Sequence, residues 1–80
     1  MMTTKEFLKT IQHALELKKE VALTDSVDSL KEWDSVGHLG ILVAIDKKLG
    51  GKAGKIKKLV NCQSVKALAE TLKKNKFLKD

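Results

Sequence analysis

The stretch Glu32-Trp33-Asp34-Ser35-Val36-Gly37-His38-Leu39 decides the reading of this chain, because a carboxylate-rich segment there meets the start of its most apolar run. A short polar side chain just before an apolar-periodic run accepts backbone N–H groups that the first helical turn leaves unpaired, and both Asp34 and Ser35 suit that capping role. The spacing predicts helix II over residues 35 to about 49, closed by Gly50-Gly51, where a glycine takes the left-handed conformation that ends a helix. The unpaired N–H groups and partial positive charge at its start suit an anion, such as a phosphate attached to Ser35. Val36, Leu39 and Val43, with Ile45 or Leu42, are assigned to the inward side. Apolar residues nevertheless continue around most of the helix from Ile41 to Ile45, the pattern of a helix that is central or that exposes a contact surface.

Upstream, Thr3-Thr4-Lys5-Glu6 has the form of a capping box. Helix I should follow to about residue 20, with Phe7, Leu8, Ile11, Ala14 and Leu15 on one face and Lys5, Lys9, Gln12, Glu16 and Lys19 on the other. Residues 21–33 hold no sustained periodicity and read as a long, ordered loop, pinned by Val27, Leu30 and Trp33 at three-residue intervals, with a single helical turn near residues 29–32. Downstream, the basic segment 52–58 leads into a short helix III containing Ile56, Leu59 and Val60, and Asn61-Cys62-Gln63 makes a turn. Ser64 then caps helix IV, where Val65, Leu68, Ala69 and Leu72 repeat at helical spacing. Residues 73–80 are expected to fray.

Eighty residues bound the chain to a single domain, 1–80, with little stability to spare, commonly about 3 to 5 kcal/mol. One cysteine, Cys62, has no partner for an internal disulfide, and no apolar run approaches a membrane span or a signal peptide, so the expected location is cytoplasmic with no membrane partner. The net charge of +6 is unevenly placed. Residues 1–46 hold five lysines against eight carboxylates, whereas residues 47–80 hold eleven lysines against Glu70 and Asp80. The basic half invites a nucleic-acid reading, but with no arginine and only Phe7, Trp33 and Phe77 as aromatics, guanine-edge recognition and base stacking are poorly served.

Catalytic and metal chemistry find little support. Asp34, Ser35 and His38 share a helix face, yet a triad needs base and orienting group converging on the nucleophile beside an oxyanion site. The carboxylates Asp25, Asp28, Glu32 and Asp34 lack the spacing and glycine of a calcium-binding loop, and one cysteine with two distant histidines is no zinc site. No residue is assigned a catalytic role. His38 reads as a contact residue beside Ser35 or as a surface residue, and His13 as a surface residue.

The run Trp-Asp-Ser-Val-Gly-His-Leu at 33–39, followed by Gly40-Ile41-Leu42-Val43-Ala44-Ile45-Asp46-Lys47-Lys48-Leu49-Gly50, resembles the acyl carrier protein family, in which Asp-Ser-Leu opens the second helix. The length and the order helix, long loop, helix, short helix, helix are also similar. The resemblance implies an all-α four-helix bundle and a non-catalytic carrier. Ser35 would carry a 4′-phosphopantetheine arm installed by a phosphopantetheinyl transferase, which uses coenzyme A and magnesium. Asp34 would then help contact the metal in the transferase complex, and Val36, Gly37, His38 and Gly40 would flank the arm, Gly37 leaving room for the phosphate. Docking of loading and acyl-transferring enzymes is assigned to Val36, Leu39, Gly40, Lys47, Lys48 and Ile56. The carrier is expected to be a monomer holding acyl or aminoacyl thioesters, with an apolar interior able to shelter the cargo.

Charge is where the chain departs from that family. Gly37 and Gly40 stand where carboxylates are usual, Lys47 and Lys48 follow Asp46 where an acidic run is usual, and Lys55, Lys57 and Lys58 fall in the third-helix region. Like charges meeting at an interface cost free energy and slow association, so the expectation is a specialised pathway rather than housekeeping fatty acid synthesis. Two alternatives stay open: a lysine-rich helical domain that binds nucleic acid, and an unmodified carrier-like interaction module in which Ser35 is only a cap.

Overall fold

The capping box forms and starts the first helix. In a computed structural model describing residues 2–79, the Thr3 hydroxyl accepts from Glu6 N–H at 3.2 Å, and Glu6 Oε1 accepts from Thr3 N–H at 3.2 Å. These bonds to the Thr3 backbone and hydroxyl hold the Glu6 carboxyl below its ordinary pKa. Helix α1 (Thr4–Ala14) buries Phe7, Ile11 and, just past its end, Leu15.

Helix α1 stops about six residues short of the expected end. Glu16 sits at φ +55°, its N–H donates to His13 carbonyl at 3.1 Å, and Leu17 N–H donates to Gln12 carbonyl at 3.0 Å. That pair of bonds is the Schellman closure, here built without the glycine that would announce it. Helix α2 (Ser35–Lys48) closes the same way at Gly50 and Gly51, with Gly51 N–H donating to Asp46 carbonyl at 2.8 Å. Helix α3 (Val65–Lys74), capped by Ser64 as expected, repeats the closure with Lys76 at φ +62° and Phe77 N–H bonded to Leu72 carbonyl at 2.9 Å.

The chain is mostly helical, as expected, but the described residues form three α-helices rather than four. The expected helix III is two short 3₁₀ segments, Ala53–Lys55 and Lys57–Asn61. The cause lies in the spacing. Ala53, Ile56, Leu59 and Cys62 recur every third residue, and their N–H groups from Ile56 onwards bond to the carbonyl three back at 3.0 to 3.3 Å. A three-residue turn stacks such positions on one side, so Ala53, Leu59 and Cys62 are buried and Ile56 is half-buried.

The C-terminal segment is also ordered where fraying was expected. Leu78–Lys79 (β2) pairs in parallel with Met2–Thr3 (β1), Met2 opposite Leu78 and Thr3 opposite Lys79, with both Met2 and Leu78 buried. Burial of Leu78, seated by the α3 closure, opposes the tendency of the lysine-rich tail to solvate. Asp80, the last residue of that expectation, lies outside the described residues.

The long loop is pinned as expected, with Leu30 and Trp33 buried and Val27 half-buried. Instead of a helical turn at 29–32 it makes hydrogen-bonded turns from Ser26 to Leu30 and from Leu30 to Trp33. It also crosses to the start of α3, where Val27 N–H donates to Gln63 carbonyl and Val65 N–H to Asp25 carbonyl, each at 3.0 Å. The core gathers Phe7, Ile11, Ile41, Ile45, Leu59, Leu68 and Leu72 between α1, α2, α3 and the 3₁₀ segments.

Candidate functional site

Helix α2 presents Ser35 at its first turn, and the side facing α1 sets its position. A Cβ on Gly37 would meet the Glu32 carbonyl oxygen and, at 2.8 Å, Leu15 Cδ2. On Gly40 it would meet the Ala14 carbonyl oxygen at 3.6 Å. Gly37, Gly40, Ile41, Ala44 and Ile45 therefore form the inner side, and the small residues let the loop and the end of α1 approach the helix backbone. This corrects two expectations. The space at Gly37 is filled by the protein's own loop and is not an approach for phosphate, and Gly40 sits on the α1 side rather than on the outer one.

The assignment of Val36, Leu39 and Val43 to the interior is likewise overturned: they are 80%, 62% and 48% exposed, while Ile41 and Ile45 are fully buried. Because α2 is apolar on both sides, periodicity alone could not choose between them; the closeness permitted by the glycines did. Val36, Leu39, Val43 and Lys47 follow one another along the outer face. Lys47 and Lys48 are exposed at its C-terminal end beside His13 and Lys9 of α1, and Ile56 is half-buried between the two 3₁₀ segments.

Asp34 is the cap. Its Oδ1 accepts from Gly37 N–H at 2.8 Å, its backbone carbonyl accepts from His38 N–H at 2.8 Å, and its second carboxylate oxygen makes no bond to the described residues. Ser35 is exposed, its hydroxyl makes no hydrogen bond among the described residues, and the N–H groups of Ser35 and Val36 have no acceptor there. A free hydroxyl thus stands beside two free N–H donors at a helix N-terminus, an arrangement that stabilises a phosphoester at that hydroxyl.

His38 has a role that sequence reading did not assign. The buried Trp33 indole N–H donates to His38 Nδ1 at 3.0 Å, and His38 Nε2 lies 2.9 Å from the Leu59 carbonyl. An indole N–H only donates, so Nδ1 accepts and the ring proton sits on Nε2, donating to Leu59. The two rings lie 6.0 Å apart at 18°. His38 shares a groove lining with Ser35, and with both nitrogens engaged it braces the loop, α2 and the second 3₁₀ segment together. The one sequence signal was Trp33 itself, since a buried indole N–H requires an acceptor. Asp46 was also missed: its Oδ1 accepts from Gly54 N–H at 2.7 Å and fastens the turn between α2 and the 3₁₀ segments.

Ser35 lines an open groove of about 650 Å³, together with the apolar Val27, Trp33, Leu39, Leu42, Val60 and Cys62 and the polar Asp34, His38, Asn61 and Gln63. Cys62 is buried, as expected of a small apolar residue, with its Sγ donating to the Lys58 carbonyl at 3.3 Å. Among the described residues no cluster of metal-ligating side chains occurs, and no helix is long and apolar enough to cross a membrane.

Comparisons with protein-family models, curated proteins and solved structures returned no match.

Proposed function

We propose that this chain is a carrier protein of the acyl-carrier type, modified with 4′-phosphopantetheine on Ser35 and not itself an enzyme. The observation that carries the reading is the exposed, unbonded Ser35 hydroxyl at the free N–H groups of α2, in the lining of a partly apolar groove. The second 3₁₀ segment, Lys57–Asn61, takes the place of the short third helix in the four-helix carrier arrangement. When attached, the arm supplies a terminal thiol on which an acyl or aminoacyl group is held as a thioester.

The chain's own residues have separable tasks. Asp34 keeps the helix start open by capping Gly37 rather than Ser35, and its free carboxylate oxygen suits the hard divalent cation of the transferase complex. Val36 and Leu39, exposed on the same outer face, offer apolar contact to the transferase and to loading or acyl-transferring enzymes. Lys47 extends that face with positive charge, Lys48 adds to it from the α1 side of the same helix end, and both favour partners of a specialised pathway with acidic docking surfaces. Leu42, Val60 and Cys62 give a short cargo, folded back along the arm, an apolar wall near Ser35.

Co-expression with a broad-specificity phosphopantetheinyl transferase, followed by intact mass measurement, tests the reading. One added phosphopantetheine is expected on the natural chain and none on Ser35→Ala. A folded chain that stays unmodified while a control carrier is converted in the same cells would remove the proposed function.

A further inference from the structure

A second groove, larger at about 910 Å³ and sharing no lining residue with the Ser35 groove, is formed by residues 55–58 and the C-terminal two-thirds of helix α3. Five exposed lysines line it, Lys55, Lys57 and Lys58 on one wall and Lys73 and Lys74 on the other, against a single carboxylate, Glu70. Its lining also includes Ile56 and Ala67, both half-buried and apolar. The side-chain ammonium groups of Lys55, Lys57, Lys58 and Lys74 form no hydrogen bond or ion pair with any described residue. Gathering like charges on two facing walls opposes folding, so the fold itself gives no reason for them.

We infer that this groove is a docking site for an acidic amphipathic segment of a partner protein. Carboxylates on one side of such a segment would meet the lysines, and its apolar side chains would cover Ile56 and Ala67. A nucleic acid would use the lysines alone. Base stacking is absent from its options, because Phe7 and Trp33 are buried, Phe77 is half-buried, and no arginine occurs in the chain. Charge complementarity therefore points to the acidic peptide, and the apolar part of the lining distinguishes it from a purely charged polymer.

The position adds a consequence. Only one thickness of chain separates the two grooves: Cys62, which lines the Ser35 groove, has its Sγ bonded to the Lys58 carbonyl and 3.7 Å from Thr71 Oγ1, and Lys58 and Thr71 line the lysine groove. A partner seated on the lysines would be next to the Ser35 groove without occupying it. The inference does not depend on modification of Ser35.

A nitrogen-15 NMR titration of the full, unmodified chain tests it, using a synthetic peptide of glutamates with leucines at helical spacing. Parallel titrations use polyglutamate and a short DNA duplex. The expected result is saturable shifts confined to the amides of residues 55–58 and 67–75, with polyglutamate and DNA both binding more weakly. Combined Lys57→Glu, Lys58→Glu and Lys74→Glu should weaken the peptide at least about tenfold, while Lys5→Glu, Lys9→Glu and Lys18→Glu on the opposite half should leave most of the affinity. Ser35→Ala should bind as the natural chain does, which separates failure here from failure of the carrier reading. Shifts spread over all the lysines, equal loss in the two triple variants, or DNA or polyglutamate binding as tightly as the peptide would overturn the inference. The mapping on the unaltered chain decides the matter even if a variant does not fold.

Discussion

Gly37→Ala and Gly40→Ala, three residues apart on one helix, should move stability in opposite directions. By helix propensity alone each gains about 1 kcal/mol, because alanine loses less backbone entropy than glycine. At Gly40 the new methyl meets the Ala14 carbonyl oxygen at 3.6 Å, an ordinary contact, so that gain should survive. At Gly37 the methyl runs into the Glu32 carbonyl oxygen and approaches Leu15 Cδ2 at 2.8 Å. Backbone gives way less readily than a side-chain end, and overpacking commonly costs about 1 to 3 kcal/mol, with more where backbone must move. The net expectation is a loss of about 1 to 2 kcal/mol for Gly37→Ala and a gain of up to about 1 kcal/mol for Gly40→Ala. Urea unfolding followed by helical circular dichroism and by Trp33 fluorescence measures both, and for a chain of this size each kcal/mol corresponds to a Tm shift of about 4 to 8 °C. Equal stabilisation by the two substitutions would refute the close approach at Gly37, and with it the account of how the loop positions Asp34 and Ser35.

Glu16→Gly should raise stability by about 1 kcal/mol in the same unfolding assay, since Glu16 holds φ +55° at the α1 closure, where a side chain is strained. Leu78→Ala should cost about 2 to 3 kcal/mol and, by hydrogen exchange, strip protection from the Met2 amide that bonds to the Phe77 carbonyl. Glu6 has a lowered carboxyl pKa in the folded chain, so its stabilising effect is complete above the ordinary glutamate value and is lost as pH falls through the folded value. Acid titrations of Glu6→Gln should show that part of the pH dependence missing, while an unchanged profile would exclude the capping box as its source.

Helix starts were legible because their chemistry is local: Thr3 with Glu6, Asp34 with Gly37 and Ser64 with Ala67 are pairs three residues apart. Helix ends were legible only where glycine marks them. Gly50 and Gly51 announced one, whereas the closures at Glu16 and Lys76 depend on left-handed residues with no such signature. The faces of α1 and α3 followed from periodicity, but α2, apolar on both sides, needed its neighbour to choose an inside. Ser35 stood out from its flanking residues, while the Trp33–His38–Leu59 brace could not, since its acceptor is a backbone carbonyl 21 residues away in sequence.

The pairing of β1 with β2 joins the extremes of the described chain, Met2 to Leu78, and makes the fold topologically close to a ring. Helices α1 and α2 run antiparallel, so this seam lies at the start of α1, while Ser35 stands by its end, about 16 Å away along 11 residues of helix. Bringing such distant segments together costs loop-closure entropy, and a covalent head-to-tail linkage would remove that cost from the folding equilibrium, up to about 4.5 kcal/mol on the cross-link model. Because the seam sets residues 2 and 79 side by side, residues 2–79 could instead be inserted through it into a loop of a host protein and still leave the serine facing outward.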